Sequence, residues 1–353
     1  ATRTRLKATR EWLASKLQGQ HSDVDRSLII HHKDELLQPL LLCYRSLIDS
    51  NLPEIANDKL LDFIYRVNCF GIELLKLDIR QESGRHRQAI SAMTEYLGLG
   101  NFETWTEQAR QNFLLQELQS KRPLLPKHLN EPADSLIEHP DVQEVFATMR
   151  TMEEYPSDVL AVLLLQKEAG IKHPLRVVPL FETLKDLDGA AKTMNTLFNM
   201  HWYKQHIQAK HEVMIGYSDS AKDAGFMSAN WAQYRAQEEL TAVAQQHAVQ
   251  LTLFHGRGGS ISRGGAPTQQ ALFSQPPGSI SGAIRVTEQG EMIRFKFGLE
   301  EIALQNLEVY TAATLEATLL PPPVPKQEWR DLMHQMTEIS VQVYRQTVRE
   351  NPH

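Results

Sequence analysis

The stretch Glu212-Val-Met-Ile-Gly-Tyr-Ser-Asp-Ser-Ala-Lys222 decides the fold class. Its first half is a short, almost continuous apolar run, and its second half is polar and opens a helix-like segment. A run of strand length that is apolar throughout reads as a buried strand, and the polar cluster marks where it stops. The same grammar recurs on both sides. Residues 175–181 (LRVVPLF) end in Glu182-Thr183, and residues 251–254 (LTLF) run into His255-Gly-Arg-Gly-Gly. Residues 283–286 (AIRV) run into Thr287-Glu-Gln-Gly-Glu291, and upstream residues 74–79 (LLKLDI) end at Arg80-Gln-Glu-Ser83. Helical patterns intervene, over 159–169, where Ser157 or Asp158 can cap and Gly170 can stop the helix, and over 229–248. Strands alternating with helices imply parallel strands joined by crossover helices, and polar clusters at the strand ends are where a β/α barrel keeps its site.

Outside this core the chain reads as helical. Leu36, Leu37, Leu40, Leu41, Tyr44 and Leu47 recur at three- and four-residue spacing, as do Leu60, Leu61, Ile64 and Val67, the period of a buried helix face. Cys43 lies on the first of these faces and is expected in the core. Two long helices are predicted near the end, over 299–320 and 326–350, joined by Pro321-Pro-Pro-Val-Pro325. The second sets Trp329, Leu332, Met336, Ile339, Val343 and Tyr344 on one stripe, which requires a protein partner. The expected organisation is a helical region over 1–125 with a first barrel strand near 74–80, a barrel core over 126–298 and a helical pair over 299–353.

Composition bounds the function. The 353 residues carry a net charge of −6, which argues against a general polyanion binder and so against nucleic acid. No apolar run approaches the roughly 18 residues of a membrane span. Two cysteines are too few for a disulfide framework and fit a reducing compartment, so a cytoplasmic protein is expected. The chain starts inside a helical pattern without an initiator Met and reads as an excerpt of something longer.

The chemistry concentrates at the strand ends. Residues 254–265 (FHGRGGSISRGG) hold five glycines, two arginines and one histidine. Glycines let the backbone approach an anion closely, and Arg257 and Arg263 supply charge and forked donors for phosphate or carboxylate. Glu182 and Asp219 each stand at the end of a predicted strand. Alone, such acids serve equally as exposed or helix-capping groups; beside an anion loop they read as a pair able to hold Mg²⁺ or Mn²⁺. Lys222, three residues after Asp219, either neutralises a substrate anion or is a solvated surface lysine. Arg80 can reach the same mouth from another strand.

These motifs together resemble a known family. Leu77-Asp-Ile-Arg-Gln-Glu-Ser83, Pro156-Ser-Asp-Val-Leu-Ala161, Pro179-Leu-Phe-Glu-Thr183, Met214-Ile-Gly-Tyr-Ser-Asp-Ser-Ala-Lys-Asp-Ala-Gly225, Phe254-His-Gly-Arg-Gly-Gly259 and Arg285-Val-Thr-Glu-Gln-Gly-Glu-Met-Ile293 closely resemble bacterial phosphoenolpyruvate carboxylase. The resemblance runs from end to end of the chain but covers only the middle of the family's length. It implies a helix-rich α/β fold built on a phosphoenolpyruvate/pyruvate-type β/α barrel with extra α-helices. It also implies Mg²⁺- or Mn²⁺-dependent carboxylation of phosphoenolpyruvate by bicarbonate to oxaloacetate and phosphate. By motif, Glu182 and Asp219 resemble the metal ligands and Lys222 the active-site lysine. Arg80 and Arg257 resemble phosphoenolpyruvate-binding arginines, and His255 and Arg263 parts of the loop that handles bicarbonate. Leu180 and Met214 resemble the apolar wall around the substrate methylene. Arg263 also resembles the residue that aspartate, the family's feedback inhibitor, withdraws from catalysis. Family members resemble homotetramers.

Two departures qualify this. The family's Thr-Ala-His-Pro-Thr motif and its C-terminal section are absent from the sequence, so the isolated chain is expected not to turn over. Residues 131–156 are shorter than the family's strand-bearing segment there and helix-like in pattern, which leaves the barrel incomplete if that strand is lost. The alternative reading is therefore a non-catalytic relative serving as a metabolite-binding or interaction module.

Overall fold

A computed structural model describes residues 2–72, 82–124, 155–171, 174–256, 268–288 and 290–348. The expected strand at 74–79, Arg80, Arg257, Arg263 and nearly all of the 131–156 segment lie outside the described residues. The chain divides into two compact units, Ala1–Asp78 and Ile79–His353.

The first unit is helical: α1 (Thr2–Leu17), α2 (Lys33–Asp49) and α3 (Leu61–Phe70). Its core is the seam that the sequence period marks, with Leu36, Leu37, Ile64 and Val67 buried and Leu40, Leu41, Tyr44 and Leu60 packed against them. Cys43 departs from expectation, because it is exposed. It lies at the edge of the apolar arc, which centres on Leu37, Leu40 and Tyr44, so the seam closes without it. At the entry to α2, Glu35 ion-pairs with Arg5 and accepts from the amides of His31 and His32 at 2.9 and 3.0 Å. The guanidinium and the two donors hold its carboxyl down at about 2.

The second unit opens with α4 (Ser83–Tyr96) and α5 (Glu107–Gln119), followed by α6 (Pro156–Glu168). Thr106 caps α5, its hydroxyl accepting from Ala109 N–H at 3.3 Å. Helix α6 is buried on every side, from Pro156 through Gln166, which explains why its sequence shows an apolar run rather than a stripe. It begins one residue before the expected caps. Asp158 sits in its first turn, accepting from Tyr155 N–H at 3.1 Å and ion-pairing with Arg87 at 3.2 Å. Ser157 instead donates to Glu107 at 2.7 Å.

The sheet has four parallel strands in sequential order: β1 (Leu180–Phe181), β2 (Lys210–Gly216), β3 (Gln250–Gly256) and β4 (Arg285–Val286). Between them lie α7 (Leu184–Asn199), α8 (His201–His206), α9 (Ser218–Ala224), α10 (Phe226–Gln246) and α11 (Thr268–Phe273). The register aligns Leu180 with Met214, Met214 with Phe254, and Phe254 with Arg285. Side chains alternate across a strand, and the two rows have different neighbours. Phe181, Val213, Ile215 and Leu253 join the helices in the large core. Leu180, Met214 and Phe254, with Val178, form a separate strand-borne cluster on the opposite face.

The chain closes with α12 (Gly290–Phe297), α13 (Glu300–Leu319) and α14 (Gln327–Val348). Helix α14 docks through polar contacts: Arg330 forks onto Glu238 at 2.5 and 2.6 Å, and Ser228 donates to the Thr337 carbonyl at 3.1 Å. The expected apolar stripe does not make this contact. Trp329, Leu332, Met336, Ile339 and Val343 are all exposed. Only Tyr344 of that set turns to the docking side, where its ring abuts Gly225 and its hydroxyl donates to the Lys222 carbonyl at 3.1 Å.

Candidate active site at the strand ends

Strands β2 and β3 both end in glycine, Gly216 and Gly256. A Cβ added to Gly216 would lie 2.8 Å from the Glu182 Cα and 2.9 Å from its Cγ. Only a glycine therefore lets Glu182 lie over the end of β2. One strand further on, a Cβ on Gly256 would lie 2.8 Å from the Met214 methyl carbon and 3.0 Å from the Ile215 carbonyl oxygen. Gly216 and Gly256 are register partners, so the two close approaches adjoin: Glu182 lies against the end of β2, and the Met214 side chain, from the cluster with Leu180 and Phe254, lies against the end of β3.

Asp219 enters from the first turn of α9, immediately after β2. Its carboxylate accepts from Lys222 Nζ at 3.0 Å, and the pair is open to solvent, with the Asp219 side chain 47% and that of Lys222 76% exposed. The sequence-expected metal acids thus stand at neighbouring strand ends, and the expected lysine already faces one of them. Among the described residues no group of three His, Cys, Asp or Glu could hold a metal ion. A two-carboxylate site completed by water and substrate oxygens is the kind that Mg²⁺ takes beside phosphate. An acid at each of two neighbouring strand ends, one of them exposed and already facing a lysine, is a donor set that fits such an ion.

His255 is placed differently from Leu180, Met214 and Glu182. It shares its register row with Phe181 and Ile215, on the helix-facing side of the sheet, and is 3% exposed. Its Nδ1 lies 2.7 Å from the Tyr217 hydroxyl, so the end of β3 is tied to the end of β2. Tyr217 was not singled out by the sequence. Neither were Ser220 and Gln233, which are both buried and hold the Gly216 carbonyl at 3.1 and 3.2 Å. For Gln233 a signal exists, since it falls inside the three-and-four-spaced stripe Ala229, Ala232, Gln233, Ala236, Leu240, where an apolar residue is expected. For Tyr217 the sequence offers none.

Comparison with known proteins accords with this arrangement. A family model described as phosphoenolpyruvate carboxylase matches residues 1–353. The phosphoenolpyruvate carboxylases of Acinetobacter baylyi and Acinetobacter baumannii are each 84% identical over 368 residues, a match covering 100% of this chain and 41% of theirs. That of Shewanella halifaxensis is 53% identical over 365 residues, covering 99% of this chain and 41% of its own. The chain therefore spans less than half the length of these relatives. With a match over its whole length and glycine-floored strand ends that carry the motif acids, the chain belongs to the phosphoenolpyruvate carboxylase family.

Proposed function

We propose that this chain is the central, metal- and substrate-holding part of an enzyme that carboxylates phosphoenolpyruvate with bicarbonate, yielding oxaloacetate and inorganic phosphate. In that reaction a bicarbonate oxygen attacks phosphorus and the phosphorus–enol oxygen bond breaks, giving carboxyphosphate and the enolate of pyruvate. Carboxyphosphate then releases phosphate and carbon dioxide, and the enolate carbon closes the new carbon–carbon bond. The observation that carries the reading is the pair of acids at neighbouring strand ends, Glu182 lying against the bare backbone of Gly216 and Asp219 in the first turn of α9 beside Lys222.

Glu182 and Asp219 would hold the Mg²⁺ or Mn²⁺ ion. When bound, the ion supplies positive charge to the phosphate and enolate oxygens. The remaining roles belong to the chain's own side chains. Leu180, Met214 and Phe254 make an apolar bed that keeps water from the enolate carbon, where protonation would yield pyruvate instead. Lys222, exposed and close to Asp219, neutralises substrate charge when the anion arrives. Arg80, Arg257 and Arg263 are assigned to phosphate and bicarbonate, and Arg263 to the aspartate-type inhibitor, through their motifs alone. His255, tied by Tyr217, steadies the start of the glycine loop.

The sheet supports a barrel. Four parallel strands in strictly sequential order, with the helix-packed row on one face and a strand-only apolar cluster on the other, is the pattern of a segment of a β/α barrel wall. In the complete enzyme this barrel would sit in a cytoplasmic homotetramer, and the segments beyond this chain would complete catalysis.

Mn²⁺ titration of the chain, followed by water-proton relaxation with and without phosphoenolpyruvate, tests the reading. The expected result is Mn²⁺ binding that phosphoenolpyruvate tightens and that Asp219→Asn weakens at least tenfold. A folded chain that binds neither ligand would overturn it and favour an interaction module.

A further inference from the structure

The Gly216 carbonyl is the last acceptor of β2, and it is gripped from the helix layer. Gln233, on α10, donates to it at 3.2 Å and to the Ser220 hydroxyl at 2.8 Å. Ser220, on α9, donates to the same carbonyl at 3.1 Å and to the Tyr217 carbonyl at 3.1 Å. Ser220 is fully buried and Gln233 is 3% exposed. Two polar side chains in this position would be costly unless their bonds were made, and here they close a small network around one peptide group.

That peptide group is the backbone against which Glu182 lies. Gly216 lies in contact with the Glu182 backbone and side chain on one side, and three residues later the chain presents Asp219. Tilting the Gly216–Tyr217 peptide would therefore displace the surface on which Glu182 rests and the entry of α9 that aims Asp219. The network touches neither carboxylate. It acts through the backbone, from the helices α9 and α10.

We infer that Gln233, with Ser220, is a positioning residue that sets divalent-metal affinity at Glu182 and Asp219 by clamping the Gly216 carbonyl. The inference rests on the metal-site reading proposed above. Groups that orient ligands from outside the coordination shell change metal affinity by about 10–100-fold when removed. Gln233→Leu keeps the volume and deletes both donors, so in the folded chain it should weaken Mn²⁺ binding by about tenfold or more. It should also speed amide hydrogen exchange at residues 216–220. Ser220→Ala, a milder variant, should do both to a smaller degree, and Ser220→Thr, which restores the hydroxyl, should recover most of the affinity.

The two readouts separate the failures. Wild-type chain that binds Mn²⁺, with Gln233→Leu and Ser220→Ala binding it equally well, overturns the clamp. Wild-type chain that binds no Mn²⁺, while exchange at residues 216–220 still rises in the variants, overturns the metal-site reading and leaves the clamp as a device for another ligand of Glu182. A variant that merely melts earlier, with unchanged affinity below its transition and unchanged local exchange, also overturns the inference.

Discussion

The two ends of β2 are built on opposite principles. At its start the space is filled with rings: His211 is 2% exposed, with Phe198 and Tyr203 edge-on to it at centroid distances of 5.7 and 5.8 Å. The Tyr203 hydroxyl reaches the His211 Nε2 at 3.3 Å. At its finish the space is emptied by Gly216 and occupied by the side chain of a neighbouring strand, Glu182. The amino end also borders a depression of about 520 Å³, lined in part by Arg176, His206 and Lys210, and among the described residues no carboxylate lines it. The amino end thus packs side chain against side chain, whereas at the carboxyl end glycine lets an acid from the next strand lie against bare backbone, the end at which a β/α barrel keeps its chemistry.

The contrast breaks most visibly if the emptied end is filled. Gly216→Ala puts a carbon 2.8 Å from the Glu182 Cα and 3.1 Å from the Phe181 carbonyl oxygen, atoms of a neighbouring backbone that cannot rotate away. Overpacking of this kind costs about 1–3 kcal/mol. Urea unfolding should show that loss, and Mn²⁺ binding should fall more than tenfold. Gly256→Ala sharpens the point. Its worst contact, at 2.8 Å, is the free methyl end of Met214, which can swing aside, although the Ile215 carbonyl at 3.0 Å cannot. Its stability loss should be the smaller of the two. Equal losses would mean that Glu182 does not rest on Gly216.

The filled end should answer to pH. Burial pushes the His211 imidazole down to about 3, with the charges of Arg176 and His206 adding to the effect, so the folded chain keeps it neutral. The unfolded chain protonates it near 6.5. Below that value the unfolded state binds a proton that the folded state refuses, so stability is complete above about pH 6.5 and is lost as pH falls toward 3. The slope is about 1.4 kcal/mol per pH unit, or about 2 kcal/mol between pH 7 and 5. His211→Leu should remove that part of the slope in urea melts over this range. An unchanged slope would show that His211 is protonated within the fold. His206, also lowered by its partial burial, contributes in the same direction and remains in the variant.

How much of this could be read beforehand follows from what each signal encodes. Apolar runs ending in polar residues located all four described strands, because a strand buried on both faces must be continuously apolar and must stop where the chain returns to solvent. The position of Glu182, Asp219 and Lys222 at strand ends is legible for the same reason. Which face a residue takes was not legible. Alternation puts His255 and Phe254 on opposite faces, but only the packing reveals that the His255 row is the one that meets the helices. Nor was the clamp legible, since Ser220 and Gln233 look like ordinary polar helix residues until the carbonyl they hold is located. Cys43 and the stripe on α14 erred in the opposite sense, because helical period marks an apolar face without saying that this chain covers it.

The smallest expected effect on stability belongs to the most exposed pair, and it separates a structural ion pair from a functional one. Lys222 and Asp219 meet at 3.0 Å one helical turn apart, with the ammonium largely in water. Solvent-exposed pairs of this kind contribute about 0–1 kcal/mol, so Lys222→Ala should move the urea midpoint barely at all. Helix α9 does not depend on the side chain, because Tyr344 and the Gly216 clamp hold its backbone at Lys222 and Ser220. If Lys222 serves the site, the loss appears only when anion is added. Mn²⁺ should bind Lys222→Ala as well as the parent chain, or slightly better once Asp219 is released from its cation. Phosphoenolpyruvate should no longer tighten that binding. Tightening that survives would return Lys222 to the solvated surface and leave substrate charge to the arginines of the glycine loop.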